Sequence, residues 1–430
     1  MKGKLNLFQA TMLRWRDLHP YNAVHVVRID VPLDGARLRA DIEQELARQG
    51  LTGFVLDVAR RRYEYMGGAA HIDLRRVAAG SNPRATVQAE IERELNAPFA
   101  REGRIEPFRF FAVDADASFQ LGVAYDHVVA GGEAIVALLK CIVDRHCGSE
   151  AAPADPPERY PPTYGRLFRR QAGFALRGLS SLRGTAASLR KSVRPRFPGG
   201  RDPRNAVALF RVHAQDFARF GGTAKAWGVT RNDLLIAILL AALSPFVGEA
   251  RRGQRRHEIA VASIVNVRND LLPGNDATFG QFLSSFRLSH PVPVGIPLRQ
   301  LAQDIHAQTG RIKRGKLYLQ TLLVMRIDSV LWRFLSPRRR AVFHAKSYPV
   351  WVGITPLDVS ALWQRADGNA PSPEYWRVVP TGPLAPLVVA ATTDGAGLAL
   401  GFSFRLAAFS REDIVRMGED VLERIASLAP

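Results

Sequence analysis

Cysteine is nearly absent: the chain of 430 residues has two. A pair cannot staple a chain of this size, so disulfides are excluded as its framework and a reducing compartment is expected. Cys141 and Cys147 fall close together beside His146, with no second ligand pair, so no metal site is expected. No apolar run reaches the roughly 18 residues a membrane span needs. LLIAILLAAL (234–243) is the longest and reads as a buried core helix. No basic-then-apolar leader opens the sequence, and the expected location is cytoplasmic. Neither GxxxxGK[ST] nor a GxGxxG after a strand occurs, which removes the common nucleotide-phosphate cradles. A GxSxG nucleophile elbow is missing too. Acidic residues are the last shortage: 40 Asp and Glu stand against 59 Lys and Arg, a net charge of +19. Such a balance points to an anionic partner, whether an acidic protein, a phosphate-bearing ligand or a membrane surface. The basic residues form no zinc-finger or RNP pattern, so nucleic acid is not expected.

What is present reads as mixed α/β in two parts, the default at this length. AVHVVRIDV (23–31) is a strand. Helices are predicted over 38–49 and 83–99, the second stopped by Asn96 and Pro98. PFRFFAVDA (107–115) and FQLGVAYDH (119–127) form a hairpin through Asp116, Ala117 and Ser118. In 132–146, Ile135, Leu138, Leu139 and Ile142 share one helical face. Residues 149–163 are rich in proline and alanine and mark a boundary. Residues 166–204 carry eleven Arg or Lys and one acid, Asp202. They read as a basic linker, or as a docking surface for an anionic partner or membrane. The second part offers a strand at 207–214 and a helix at 227–246 with Thr230 and Asp233 in a capping-box pattern. A strand at 258–268, a helix at 297–315, a hairpin at 386–405 turning through DGAG, and a helix at 410–428 complete it. The expected division is 1–165, a linker 166–204, and 205–430.

The chemistry concentrates in YDHVVAGGE (125–133). Side chains of a strand alternate, so His127 shares a face with Phe119, Leu121, Val123 and Tyr125, while Asp126 points the other way. An imidazole set in an apolar wall needs a partner or a task, because burying it unpaired is costly. Gly131 and Gly132 allow a sharp turn or the close approach of another group, and a helix N-terminus follows.

The order of segments along nearly the whole chain resembles the chloramphenicol acetyltransferase-like acyltransferases. That superfamily includes nonribosomal peptide condensation domains and bacterial wax ester synthases. Its HHxxxDG motif corresponds to DHVVAGG (126–132). PYN (20–22), LNAPF (95–99), PFRFF (107–111), GVTRNDLLIAILLAAL (228–243), IVNVRND (264–270) and FGQF (279–282) follow in the order the family shows. The resemblance implies two acyltransferase-like subdomains meeting in a V-shaped pseudo-dimer around a central tunnel. It further implies acyl transfer from a carrier-protein or CoA thioester to an amine or alcohol, in natural-product biosynthesis. No tightly bound cofactor is implied beyond the phosphopantetheine or CoA of the donor, and a monomer is expected.

His127 matches the motif histidine that serves as general base or positions the nucleophile. A neutral imidazole is suited to this near pH 7. Asp126 replaces the first histidine. Gly131 replaces the aspartate that pairs with an arginine to hold the loop, leaving Arg268 to pair with Glu133 or Asp126 or to bind an anion. Asp126, Gly131, Gly132 and Arg268 are thus the expected support, and Tyr125, Trp351 and Ser285 candidate tunnel residues. In the family the 351–363 segment would cross over to close the cleft. Two alternatives of different class accompany this reading. One is a degenerate member that binds a carrier-bound chain or partner without transfer; the other is a lipid acyltransferase at the membrane surface.

Overall fold

The computed structural model describes residues 2–148, 186–195, 204–247, 255–271, 279–336, 338–340, 347–363 and 373–429, together with Tyr164, Gly173, Gly184 and Phe343. Most of the basic 166–204 segment lies outside the described residues.

The first part runs β1 (Lys2–Lys4), α1 (Leu7–Arg16), β2 (Asn22–Ile29), α2 (Gly35–Arg48), β3 (Phe54–Asp57), β4 (Arg62–Tyr65), β5 (Leu74–Ala78), α3 (Pro83–Asn96), β6 (Gly103–Ile105), β7 (Phe108–Asp114), β8 (Phe119–Asp126) and α4 (Gly132–His146). The second runs β9 (Asn205–His213), α5 (Ala214–Ala226), α6 (Arg231–Leu243), β10 (Glu258–Asn266), β11 (Leu283–Pro291), α7 (Leu298–Arg314), α8 (Leu319–Leu331), β12 (Val352–Asp358), β13 (Tyr375–Val378), β14 (Leu387–Asp394), β15 (Gly397–Arg405) and α9 (Arg411–Ala426). Among the described residues three sheets result, in the strand orders β13-β2-β8-β7-β5, β11-β10-β12-β14-β15-β9 and β1-β4-β3-β6.

Alternation along β8 builds the core. Phe119, Leu121, Val123 and Tyr125 join the large apolar cluster that runs through both parts. Ala124, from the opposite face, packs with Val24, Val26 and the α3 residues Val87, Ile91 and Leu95. The predicted hairpin turn at 116–118 is present, with Asp116 at φ 61°. In α6 every residue from Asp233 to Leu240 is buried, as expected of a helix apolar on all sides. Thr230 and Asp233 close its capping box. Among the described residues no single helix is long and apolar enough to cross a membrane. Neither Cys141 nor Cys147 is part of a disulfide.

The crossover falls at β13, not in the 351–363 segment. Val352–Asp358 is instead an interior strand of the six-stranded sheet, parallel to both β10 and β14. β13 leaves that part of the chain and pairs antiparallel with β2, as the edge strand of the five-stranded sheet. Its entry is pinned by Asp394, which accepts from the Tyr375 amide and forms a two-bond pair with Arg211. Gly401 on β15 makes the passage possible: a Cβ there would stand 2.1 Å from the Arg377 carbonyl oxygen.

Candidate active site

The loop after β8 is fixed by bonds at almost every peptide. The Asp126 carboxylate accepts from the Val128 amide at 3.1 Å, and its carbonyl from Val129 at 2.9 Å. The His127 amide donates to the Tyr21 carbonyl, and the Gly131 amide to that of Gly280. Three loop carbonyls are met by glutamine side chains. Gln9 donates to Val128, and the Gln281 amide nitrogen donates to His127 and Ala130, each at 2.5 Å. Gln281 belongs to FGQF, which sequence reading matched to the family without assigning it a task. Nothing local marks it, because its partners lie some 150 positions earlier.

These contacts set the histidine tautomer. Gln281 spends both amide hydrogens on the two carbonyls, so it has none for His127 Nδ1, 3.2 Å away. Turning the amide over would press its oxygen against both carbonyl oxygens. His127 Nδ1 therefore carries the hydrogen and donates to the Ala130 carbonyl at 3.3 Å. Nε2 keeps its lone pair and has no hydrogen-bond partner among the described residues. The ring is 9% exposed and packs between Tyr21 and Tyr125, with centroids 5.8 and 5.6 Å away. Burial lowers its pKa to about 4; the Ala130 carbonyl opposes the shift and Arg377 adds to it. The imidazole is thus neutral across the physiological range.

His127 lines a cavity of about 160 Å³ whose wall is mostly apolar: Phe8, Met12, Trp15, Tyr21, Leu357, Val388 and others. Of the expected residues, Tyr125, Gly131, Gly132, Arg268 and Ser285 are in this wall. Trp351 is not. Its neighbour Val350 faces the cavity, while the Trp351 indole donates to the Val193 carbonyl and packs on Phe409. Trp363 sits against Tyr375.

The motif glycines act through missing side chains rather than through left-handed backbone. Gly131 is the N-cap of α4 at φ −87°. A Cβ there would lie 3.4 Å from the Gln281 side-chain oxygen, itself buried without a hydrogen-bond partner. A Cβ on Gly132 would lie 3.4 Å from Arg377 Nη1.

Two ion pairs flank the loop. Asp126 pairs with Arg16 of α1 at 2.5 Å, both nearly inaccessible. Burial raises the Asp126 pKa, and Arg16 works against it. Arg268 has a carboxylate 3.7 Å away in Glu133, which also accepts from Asn266. Glu133, two positions past Gly131, thus sets a carboxylate beside Arg268. Arg268 also stacks on Phe282.

Arg377 went unnoticed in the sequence. It arrives on β13, is buried at 4% exposure, and lines the cavity. Thr392 and Thr355 hydroxyls and the Thr355 and Ala391 carbonyls hold its guanidinium. His25 lies behind the site, its ring nitrogens at 2.8 Å from the Tyr375 hydroxyl and 3.4 Å from that of Tyr125. Among the described residues no cluster of His, Cys, Asp or Glu is able to hold a metal ion.

No protein-family model matches the sequence, and no curated protein matches it. Solved structures do. The first condensation domain of the calcium-dependent antibiotic synthetase, in complex with a substrate analogue, aligns at TM-score 0.70 and 16% identity, covering 100% of this chain and 97% of that one. The starter condensation domain of rhizomide synthetase RzmA, a mutant in complex with C8-CoA and Leu-SNAC, aligns at 0.68 and 14%, covering 99% and 94%. The condensation domain of the Monacolin K polyketide synthase MokA aligns at 0.63 and 12%, covering 99% and 97%. At these identities the likeness establishes architecture: from end to end, the chain has the α/β fold of condensation domains.

Proposed function

We propose that the protein transfers an acyl group from a thioester to an amine or alcohol, with His127 at the reacting centre. The observation that carries this reading is the His127 ring: Nδ1 is committed to the loop, and Nε2 is left open in an apolar cavity. In the proposed step the acceptor nitrogen or oxygen bonds to the thioester carbonyl carbon, its proton passes to Nε2, and the carbon–sulfur bond breaks. The proton then leaves with the thiolate as thiol. A pKa near 4 makes Nε2 a weak base toward a resting amine or alcohol. It first orients the nucleophile by accepting its hydrogen bond. It takes the proton once bonding to carbon has made that group acidic.

Phosphopantetheine on a carrier protein and CoA both suit the donor role. The net charge of +19 favours their phosphates and an acidic carrier. The complex reported for the rhizomide starter domain supports a thioester donor by analogy of fold. The scarcity of cysteine, two in 430 residues, suits a reducing compartment. The proposed units are 1–165 and 205–430, with β13 handed from the second to the sheet of the first.

The test is thioester consumption with a panel of acyl-CoA and acyl-carrier donors and mixed amine and alcohol acceptors, read by intact mass. The expected result is an acylated product with wild type and a loss of about 10²-fold in His127→Ala. Equal activity of both proteins would make His127 structural. Carrier binding without turnover would favour the degenerate, binding-only reading.

A further inference from the structure

The cavity wall holds one more positive charge than negative. Its charged residues are Glu133, Arg268 and Arg377, and Glu133 is matched by Arg268. Arg377 has no carboxylate within ion-pair distance among the described residues. A buried guanidinium in that position is costly unless an anion joins it. Its own contacts are all neutral oxygens, and they leave one Nη1 hydrogen unclaimed. Nε donates to Thr392, Nη1 to Thr355 Oγ1 at 3.0 Å, and Nη2 to the Thr355 and Ala391 carbonyls. Nη1 and Leu357 Cδ2 are the atoms nearest the missing side chain of Gly132, in the same wall as His127. The guanidinium is therefore pre-oriented and buried, with one N–H unclaimed.

We propose that Arg377 binds a carboxylate on the acceptor, so that the acceptor is a free acid, such as an amino acid with an apolar side chain, rather than a chain tethered to a carrier. The inference rests on the acyl-transfer reading above. A tethered aminoacyl group has its carboxyl consumed in the thioester and offers no anion here. The donor offers none either, since its phosphates sit at the far end of the pantetheine arm from the sulfur. The apolar wall suits an apolar side chain, and the fixed guanidinium would hold the carboxylate while the amine approaches His127 Nε2.

The test needs no thioester. Binding of L-leucine, L-phenylalanine and L-valine to the full chain is compared by calorimetry with that of their carboxamides. Wild type is expected to bind at least one acid about tenfold or more tightly than its amide, as a charge-assisted bond in a dry site requires. Arg377→Gln should abolish that preference and Arg377→Lys keep part of it. Should Arg377→Gln fail to fold, Gly132→Ala places a methyl group against Nη1 and should weaken the acid selectively. No saturable binding of any acid, equal affinity for acid and amide, or a preference that survives both Arg377→Gln and Gly132→Ala would overturn the proposal. If transfer assays find product while Arg377→Gln slows acid and amide acceptors equally, Arg377 serves the reacting carbonyl and the proposal falls. If the preference holds without any turnover, the acyl-transfer reading falls and the carboxylate site stands.

Discussion

His25 and His127 lie on either side of Tyr125, on neighbouring strands of one sheet and its outgoing loop. Both are buried, and burial lowers the pKa of each. They differ in their second nitrogen. His25 has a tyrosine hydroxyl near each ring nitrogen and is spent on structure. His127 has a donor bond at Nδ1 and a cavity at Nε2. Burial alone does not separate the two histidines; the uncommitted lone pair of a pre-oriented ring does.

The largest way to break this comparison is to remove each ring. His25→Ala strips two buried tyrosine hydroxyls of their partner and leaves a void, costing about 3–5 kcal/mol in denaturant unfolding. His127→Ala should cost under about 1 kcal/mol in the same experiment yet lose about 10²-fold in turnover. A reversed pattern would exchange their roles.

Acid provides the next test. A histidine held neutral in the fold takes up a proton more readily when unfolded. Stability should be fully present above the unfolded pKa near 6.5 and fall as pH drops toward 4. His127 alone contributes about 3 kcal/mol over that window. Unfolding followed from pH 7 to 4 should steepen accordingly, and His127→Ala should flatten the slope. A slope unchanged in the variant would contradict the burial of a neutral ring.

Gln281→Leu sharpens the comparison from the positioning side. It removes the donor from the His127 and Ala130 carbonyls, at about 1–3 kcal/mol. Freed from its clamp, the loop should lose about tenfold in turnover without a change in the pH of half-maximal rate. Gly131→Ala should be the mildest change, under about 1 kcal/mol, because its methyl meets neighbours only at ordinary contact distance. Gly131→Asp should cost more, since its carboxylate would face the Gln281 and Gly280 oxygens. A gain in stability there would show that the loop still accepts the family aspartate.

The sequence by itself determined the main strands and helices, the hairpin turn at Asp116, the capping box at Thr230 and the face on which His127 lies. Each follows from local periodicity or from side chains reaching their own backbone. The short strands β3, β4 and β6, the helices α1, α5 and α8, and the crossover strand β13 were not legible, being short or weakly patterned and defined by distant partners. Tertiary structure alone decided what surrounds the histidine. Arg16 reaches Asp126 across 110 residues, Gln281 fixes the tautomer from 154, and Arg377 enters on a strand that completes the other part's sheet. Hydrogen bonds and ion pairs depend on distance in space, and no local pattern records which remote segment will supply the partner. The absence of an aspartate at Gly131 was plain in the sequence. Glu133 beside Arg268 was one of the pairings the sequence offered; that Gln9 and Gln281 bind the loop carbonyls became visible only when the chain had folded around the loop.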